Sequence, residues 1–235
     1  MRRLAFSLFL LVLSVATVRA DFVFETDLVR LVVDPRARAL SLREESLGKE
    51  WLRRQPAPLF AVRKEDRWHP STAMRKQGRK YLVDFGRADV TATYAITDHK
   101  DYIVFALLGI EGEDIQALRL LQLRTEGLKR AGRRLAVRWG DRFSINALAL
   151  SPRVHAGLGR GNAIAATVYP ELGVAGEKAA LLAVPTEDLL DTIRVVERDF
   201  GLPSPDIEGQ WAKASDAVRS SYLFIDLTGI RRRQV

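Results

Sequence analysis

The 235-residue chain contains no cysteine, which excludes disulfides, thiolate metal sites, a cysteine nucleophile and a lipid-modified leader. Histidine is scarce as well. His69, His99 and His155 are scattered, each in a polar or proline-flanked stretch, so all three are read as loop residues without metal-ligand spacing. No serine sits in a Gly-x-Ser-x-Gly elbow. Catalytic, metal and cofactor sites are therefore expected to be absent. No run outside the N-terminus approaches the length of a membrane span, about 18 apolar residues.

The first twenty residues carry a different signal. Arg2 and Arg3 precede an almost uncharged apolar stretch, Leu4 to Val18, and Val18-Arg19-Ala20 presents small residues before Asp21. That arrangement is a cleavable secretory leader, residues 1–20, and predicts a mature exported chain of about 215 residues, periplasmic or secreted. Export without disulfides suits a bacterial periplasm. The net charge of +8, from 37 basic and 29 acidic residues, falls to +5 once Arg2, Arg3 and Arg19 leave with the leader. Arg231, Arg232 and Arg233 supply three of those five. The body is near balance, with its signs interspersed, which argues against a nucleic-acid partner and leaves an acidic polysaccharide or membrane surface as the minor reading.

Strand-like runs follow one another at roughly 8–12 residues with turn signals between them, a pattern of sandwiches rather than βαβ folds. They fall at Leu28–Val33, Ala39–Leu42, Glu50–Leu52, Leu59–Val62, Tyr81–Phe85 and Val90–Ile96, then at Tyr102–Ile110, Ala117–Leu123, Leu135–Trp139, Phe143–Leu150, Ala163–Tyr169 and Ala179–Val184. In Val90–Ile96 the residues Val90, Ala92, Tyr94 and Ile96 share one face. Tyr102–Ile110 is apolar throughout, as a strand between two layers would be. Lys64-Glu65-Asp66 reads as a hairpin turn into Arg67-Trp68. One helix is predicted, with Thr186 as its cap, Leu189, Ile193, Val196 and Phe200 as its apolar stripe, and Gly201 and Pro203 as its stop. The fold class is thus mainly β, an antiparallel sandwich over residues 21–202 with one helix. Residues 203–235 form a linker and the truncated start of a further domain, or else end in a basic tail.

Leu31-Val32-Val33-Asp34-Pro35, Ala39-Leu40-Ser41-Leu42 and Leu47-Gly48-Lys49-Glu50-Trp51-Leu52 together resemble the opening of a galactose-mutarotase-like β-sandwich. Such domains precede the catalytic (β/α) barrel in several families of secreted bacterial glycoside hydrolases. Gly201 to Pro205, leading to Tyr222-Leu223-Phe224-Ile225-Asp226-Leu227, resembles the connection into that barrel. The resemblance implies an accessory domain whose partner is a catalytic barrel. The barrel, which would hold the catalytic carboxylates, is missing from this chain.

Within the chain, Glu111, Glu113 and Asp114 lie in a glycine-flanked loop, and Asp226 reads as a strand-end residue. Gly157-Leu158-Gly159-Arg160-Gly161-Asn162 precedes a strand rather than a helix, so it is read as a flexible inter-strand loop and not a phosphate cradle. Aromatic rings are the natural contacts for the C–H face of a sugar. Among Trp51, Trp68, Trp139 and Trp211, core packing is the commoner role. Trp68 is the one expected at the surface, and Trp68, His69 and Trp211 are the candidate carbohydrate-binding residues for a polysaccharide or oligosaccharide. The function expected is an exported, non-catalytic accessory sandwich of carbohydrate-binding type. A structural or protein-interaction module and a mutarotase-like sugar epimerase are the alternatives.

Overall fold

The computed structural model describes residues 21–132, 135–159, 161, 163–202, 206–207 and 210–211. The predicted leader, residues 1–20, the segment Tyr222–Leu227 with Asp226, and Arg231–Arg233 lie outside the described residues. In chain order the first strands are β1 (Phe22–Glu25), β2 (Val29–Val33), β3 (Arg38–Glu44), β4 (Ala57–Pro58), β5 (Ala61–Lys64) and β6 (Arg67–Pro70). Next come β7 (Ala73–Gln77), β8 (Lys80–Asp84), β9 (Thr91–Asp98), β10 (Tyr102–Glu111), β11 (Ile115–Arg124) and β12 (Arg130–Gly132). The series closes with β13 (Val137–Trp139), β14 (Phe143–Ala149), β15 (Val154–Leu158), β16 (Ala163–Val168), β17 (Lys178–Pro185), helix α1 (Leu189–Asp199), β18 (Asp206–Ile207) and β19 (Gln210–Trp211).

One sheet has eight strands in the order β12-β13-β14-β17-β10-β9-β8-β7. Facing it are a five-stranded sheet, β15-β16-β11-β5-β6, and a four-stranded sheet, β1-β2-β3-β4. All described pairings between strands are antiparallel. The chain is an antiparallel β-sandwich, as the strand pattern predicted.

The apolar strands explain the layering. In β10, Ile103, Phe105 and Leu107 enter the inter-sheet core, while Tyr102 and Val104 face α1. In β17 the same division separates Ala179, Leu181 and Ala183 from Ala180 and Leu182. Both strands are covered on two sides, so alternation disappears from their sequences. Across the core, rings link the layers: Phe24 lies 6.5 Å from Phe105, Phe105 6.3 Å from Phe60, and Phe60 4.7 Å from Tyr94. Leu108, 40% exposed, is the extra residue where β10 slips register against β9, which accounts for a leucine facing water.

The helix buries Ile193 and Val196 as its stripe predicts, but Thr186 is not its cap. Asp188 holds that position, and the Thr186 hydroxyl donates instead to the Gly140 carbonyl at 3.1 Å. At the other end the Gly201 amide reaches Arg198 O (3.1 Å) and the Leu202 amide reaches Glu197 O (2.8 Å). Gly201 has φ +62°, which completes a Schellman stop. Tyr102 pins the helix to β10 by donating its hydroxyl to Asp199 at 2.8 Å.

The predicted strand Glu50–Leu52 does not form. The Glu50 carboxylate accepts the backbone amides of Leu42 (2.9 Å) and Leu52 (2.8 Å) in place of a ladder partner, and shares the Trp51 amide with the Leu42 carbonyl, each at 3.0 Å. Glu50 and Leu52 keep only isolated bridges, to Arg43 and Thr125. Two of the three histidines also fall on strands rather than loops, His69 in β6 and His155 in β15. His99 keeps the predicted turn, its amide bonded to Tyr102 O at 2.9 Å. The glycine-rich loop is shorter than expected, because Gly157 and Leu158 already belong to β15.

Two buried phenols make the fold less stable at alkaline pH. Burial, with the Asp199 hydrogen bond as a lesser cause, pushes Tyr102 from 10.0 up to about 12. Burial alone raises Tyr94 as well. Because the folded-state value is the higher one, the unfolded chain releases protons first, and stability falls as pH rises from 10.0 toward about 12. Ultraviolet titration should show Tyr94 and Tyr102 ionising at higher pH than a free phenol. Tyr102→Phe should flatten the loss in that window; an unchanged pH profile would show that Tyr102 does not contribute to it.

Candidate functional site

The β5–β6 hairpin is built by its sequence. Glu65 (φ +51°) and Asp66 (φ +59°) both take left-handed backbone, giving the two-residue turn that matches strand twist. That turn fixes the register, so Lys64 faces Arg67, Arg63 faces Trp68, and Val62 faces His69. The hairpin tip is held to β11, where the Gln116 side-chain oxygen accepts the Asp66 amide at 3.0 Å. Arg63 closes it from the other side with an ion pair to Asp66 at 2.9 Å.

Side chains alternate along a strand, so Trp68 and His69 point to opposite faces. His69 shares its face with the buried Val62 and Leu118, while Trp68 stands on the outward face with Arg63 and Arg119. The structure therefore does not bring the two predicted residues together. Trp68 is 38% exposed, and the Arg119 guanidinium lies 4.0 Å from its ring centroid. Burial, and secondarily the charge of Arg124, lower the Arg119 pKa, yet a guanidinium remains charged at any working pH. Arg119 also donates to the Gln122 side-chain oxygen, whose amide nitrogen donates to Pro58 O at 2.9 Å. This chain of contacts locks the cation against the indole. A cleft of about 540 Å³ lies alongside, lined by Arg63, Asp66, Asp114, Gln116, Tyr169 and Glu171.

The remaining candidates differ. Trp211 sits in β19, paired with Asp206 of β18, and its side chain lies outside the described residues. Trp51 is core: its ring stacks on Phe143 at 5.0 Å and its nitrogen donates to Glu44 at 3.2 Å. Glu113 and Asp114 occupy the β10–β11 turn, as expected, whereas Glu111 is the last residue of β10 and not part of the loop. Among the described residues no group of three or more His, Asp or Glu side chains could hold a metal ion, and no helix is long and apolar enough to cross a membrane. Sequence reasoning missed Arg63 and Arg119. Arg63 was within reach, since a two-residue turn at Glu65-Asp66 places it opposite Trp68. Arg119 depends on strand order and carries no local signal.

What this face offers is an exposed aromatic platform, fixed from one side by a cation and bordered by a cleft of hydroxyl, amide, carboxylate and guanidinium groups. No nucleophile and base are paired within it by a described hydrogen bond.

No family model matches the chain, and no curated protein matches it. Among solved structures it is similar to an alpha-N-acetylgalactosaminidase from Bifidobacterium bifidum in complex with GalNAc, with a TM-score of 0.50 and 12% identity. The match covers 77% of this chain and 39% of that one. The ligand-free form of the same enzyme gives a TM-score of 0.48, again at 12% identity and with the same coverage. The chain thus spans about two-fifths of that glycoside hydrolase (39%) and shares the fold of a β domain within it.

Proposed function

We propose that this chain is an exported, non-catalytic β-sandwich of galactose-mutarotase-like type, an accessory domain of glycoside-hydrolase lineage that binds carbohydrate through the outward face of β5, β6 and β11. The observation that carries the reading is the Trp68 platform, braced by Arg119 beside a polar cleft. A pyranose stacks its C–H face on an indole, and a ring already held in place loses little side-chain entropy on binding. The leader-like Leu4–Val18 stretch supports export. In this reading residues 21–202 are the domain, and residues 203–235 are the linker and start of a following domain, with a catalytic barrel as its partner.

The test is affinity electrophoresis across a panel of polysaccharides. Retardation by at least one glycan is expected, with Trp68→Ala weakening it about tenfold or more while the thermal midpoint stays put. A full panel without retardation, or a Trp68→Ala protein retarded as strongly as the parent, would overturn the assignment.

A further inference from the structure

Resting on the carbohydrate-binding reading above, we infer that a second cavity, toward the far end of β11 from Trp68, is a seat for an oxyanion carried on a saccharide: the carboxylate or sulfate of an acidic glycan. The cavity has a volume of about 400 Å³ and forms where three connections meet, after β3, after β11 and between β13 and β14. Lys49, Lys129, Arg130 and Arg142 line it with a single carboxylate, Asp141. Asp141 pairs with Arg130 at 2.9 Å. Among the described residues none of Lys49, Lys129 and Arg142 forms an ion pair. Four cations against one anion leave three uncompensated positive charges around one concavity.

Like charges gathered this way repel one another, and a low-dielectric wall focuses their field into the cleft. The wall here is rigid. Lys49 Nζ sits 3.8 Å from the Trp51 ring centroid. Trp51 in turn is clamped between the Phe143 stack and its bond to Glu44. Gly127, at φ +80°, and Gly140 contribute no side chains, which keeps the mouth clear. Lys129 and Arg142 are exposed, so their charges are not serving the core. An anion entering the cavity meets Lys49 already held over Trp51, and charge-assisted bonds to lysine and arginine are the stronger kind.

Trp68 lies against Arg119, so the second half of β11, Leu120 to Arg124, and the residues leading to Gly127 separate this cavity from it, a span of roughly 20 Å. The two sites are therefore testable independently. Calorimetric titration of the full chain with a uronate tetrasaccharide, a neutral tetrasaccharide and inorganic sulfate discriminates the occupants. Saturable binding of the uronate is expected, with the neutral sugar at least tenfold weaker. Lys129→Gln with Arg142→Gln should weaken the uronate at least tenfold, and Arg79→Gln, which removes an exposed cation from the turn between β7 and β8, should leave it unchanged.

Raising the salt from low to high should also weaken the uronate, because the charges are near the surface. Sulfate binding as tightly as the uronate overturns the saccharide and leaves a plain inorganic-anion seat. No uronate binding, or binding that ignores the double substitution, overturns the site itself. Loss of uronate binding in Trp68→Ala alone would move the acidic glycan to the other face and likewise overturn this assignment.

Discussion

Phe105→Ala should lower the unfolding free energy by about 3–5 kcal/mol, the range for removing a buried aromatic ring. Phe105 is fully buried at the centre of β10 and lies between Phe24 of the four-stranded sheet and Phe60, next to the start of β5. It is the ring at which all three sheets meet. Truncation leaves a void with rigid walls on three sides, so the neighbours can close only part of it. Domains of this size are stable by about 5–15 kcal/mol, so the variant should sit near the edge of folding. Its urea midpoint should fall steeply with the slope unchanged. Phe105→Leu, which refills most of the volume, should lose far less. A Phe105→Ala loss below about 1 kcal/mol would mean that the layers are not joined at this ring.

Asp34→Ala should cost about 2–4 kcal/mol, because one buried carboxylate organises a turn that several segments use. Asp34 Oδ1 accepts the backbone amides of Arg36 and Arg38, both at 2.9 Å, and Oδ2 accepts Arg38 Nε at 2.7 Å. Those bonds hold Ala37 in left-handed backbone (φ +58°). The same turn is tied outward: Ala37 O accepts the Leu59 amide (2.9 Å) and the Ser71 hydroxyl (3.3 Å), and Pro35 O accepts the Met74 amide (2.8 Å). Losing the carboxylate unseats β3, β4 and β7 together. Asn retains an acceptor for the amides and forfeits only the charge toward Arg38, which is half in water. Asp34→Asn should therefore retain more than half of the lost stability in urea unfolding. An Asn variant as damaged as the Ala one would transfer the weight from the turn to the ion pair with Arg38.

The sandwich was legible because burial wrote itself into the sequence twice. Val90–Ile96 shows a half-covered strand by alternation, and Tyr102–Ile110 shows a doubly covered one by its absence. Helix α1 was legible in its stripe and its Gly201 stop. What escaped were elements whose bonding depends on a distant or side-chain partner. β7 is mostly polar and lies at a sheet edge, so nothing in Ala73–Gln77 advertises a strand. Glu50–Leu52 carries strand-like residues, but a carboxylate took the amides that a strand would have used. The candidate face divides in the same way. Trp68 was visible from its polar neighbours, and His69 beside it was grouped with it before strand parity separated them. Arg119 became a partner only once β11 was seen to lie beside β5.

The rims of the two larger sheets bear on how the molecule behaves in a crowd. An open rim offers unpaired amides and carbonyls to any passing strand. Arg75 and Lys76 stand on β7, Arg130 on β12, and Arg67 with Pro70 on β6. A second copy that meets any of these three rims with the same rim sets basic side chains against their own copies. The fourth rim, β15, carries His155 as its sole ionisable group, and it turns in against β14 of the facing sheet. Without a single disulfide to lock it, the sandwich is thus protected from polymerising through its strands by charge at three rims and by packing at the fourth. Neutralising Arg75 and Lys76 would open the first seam along which fibres could grow.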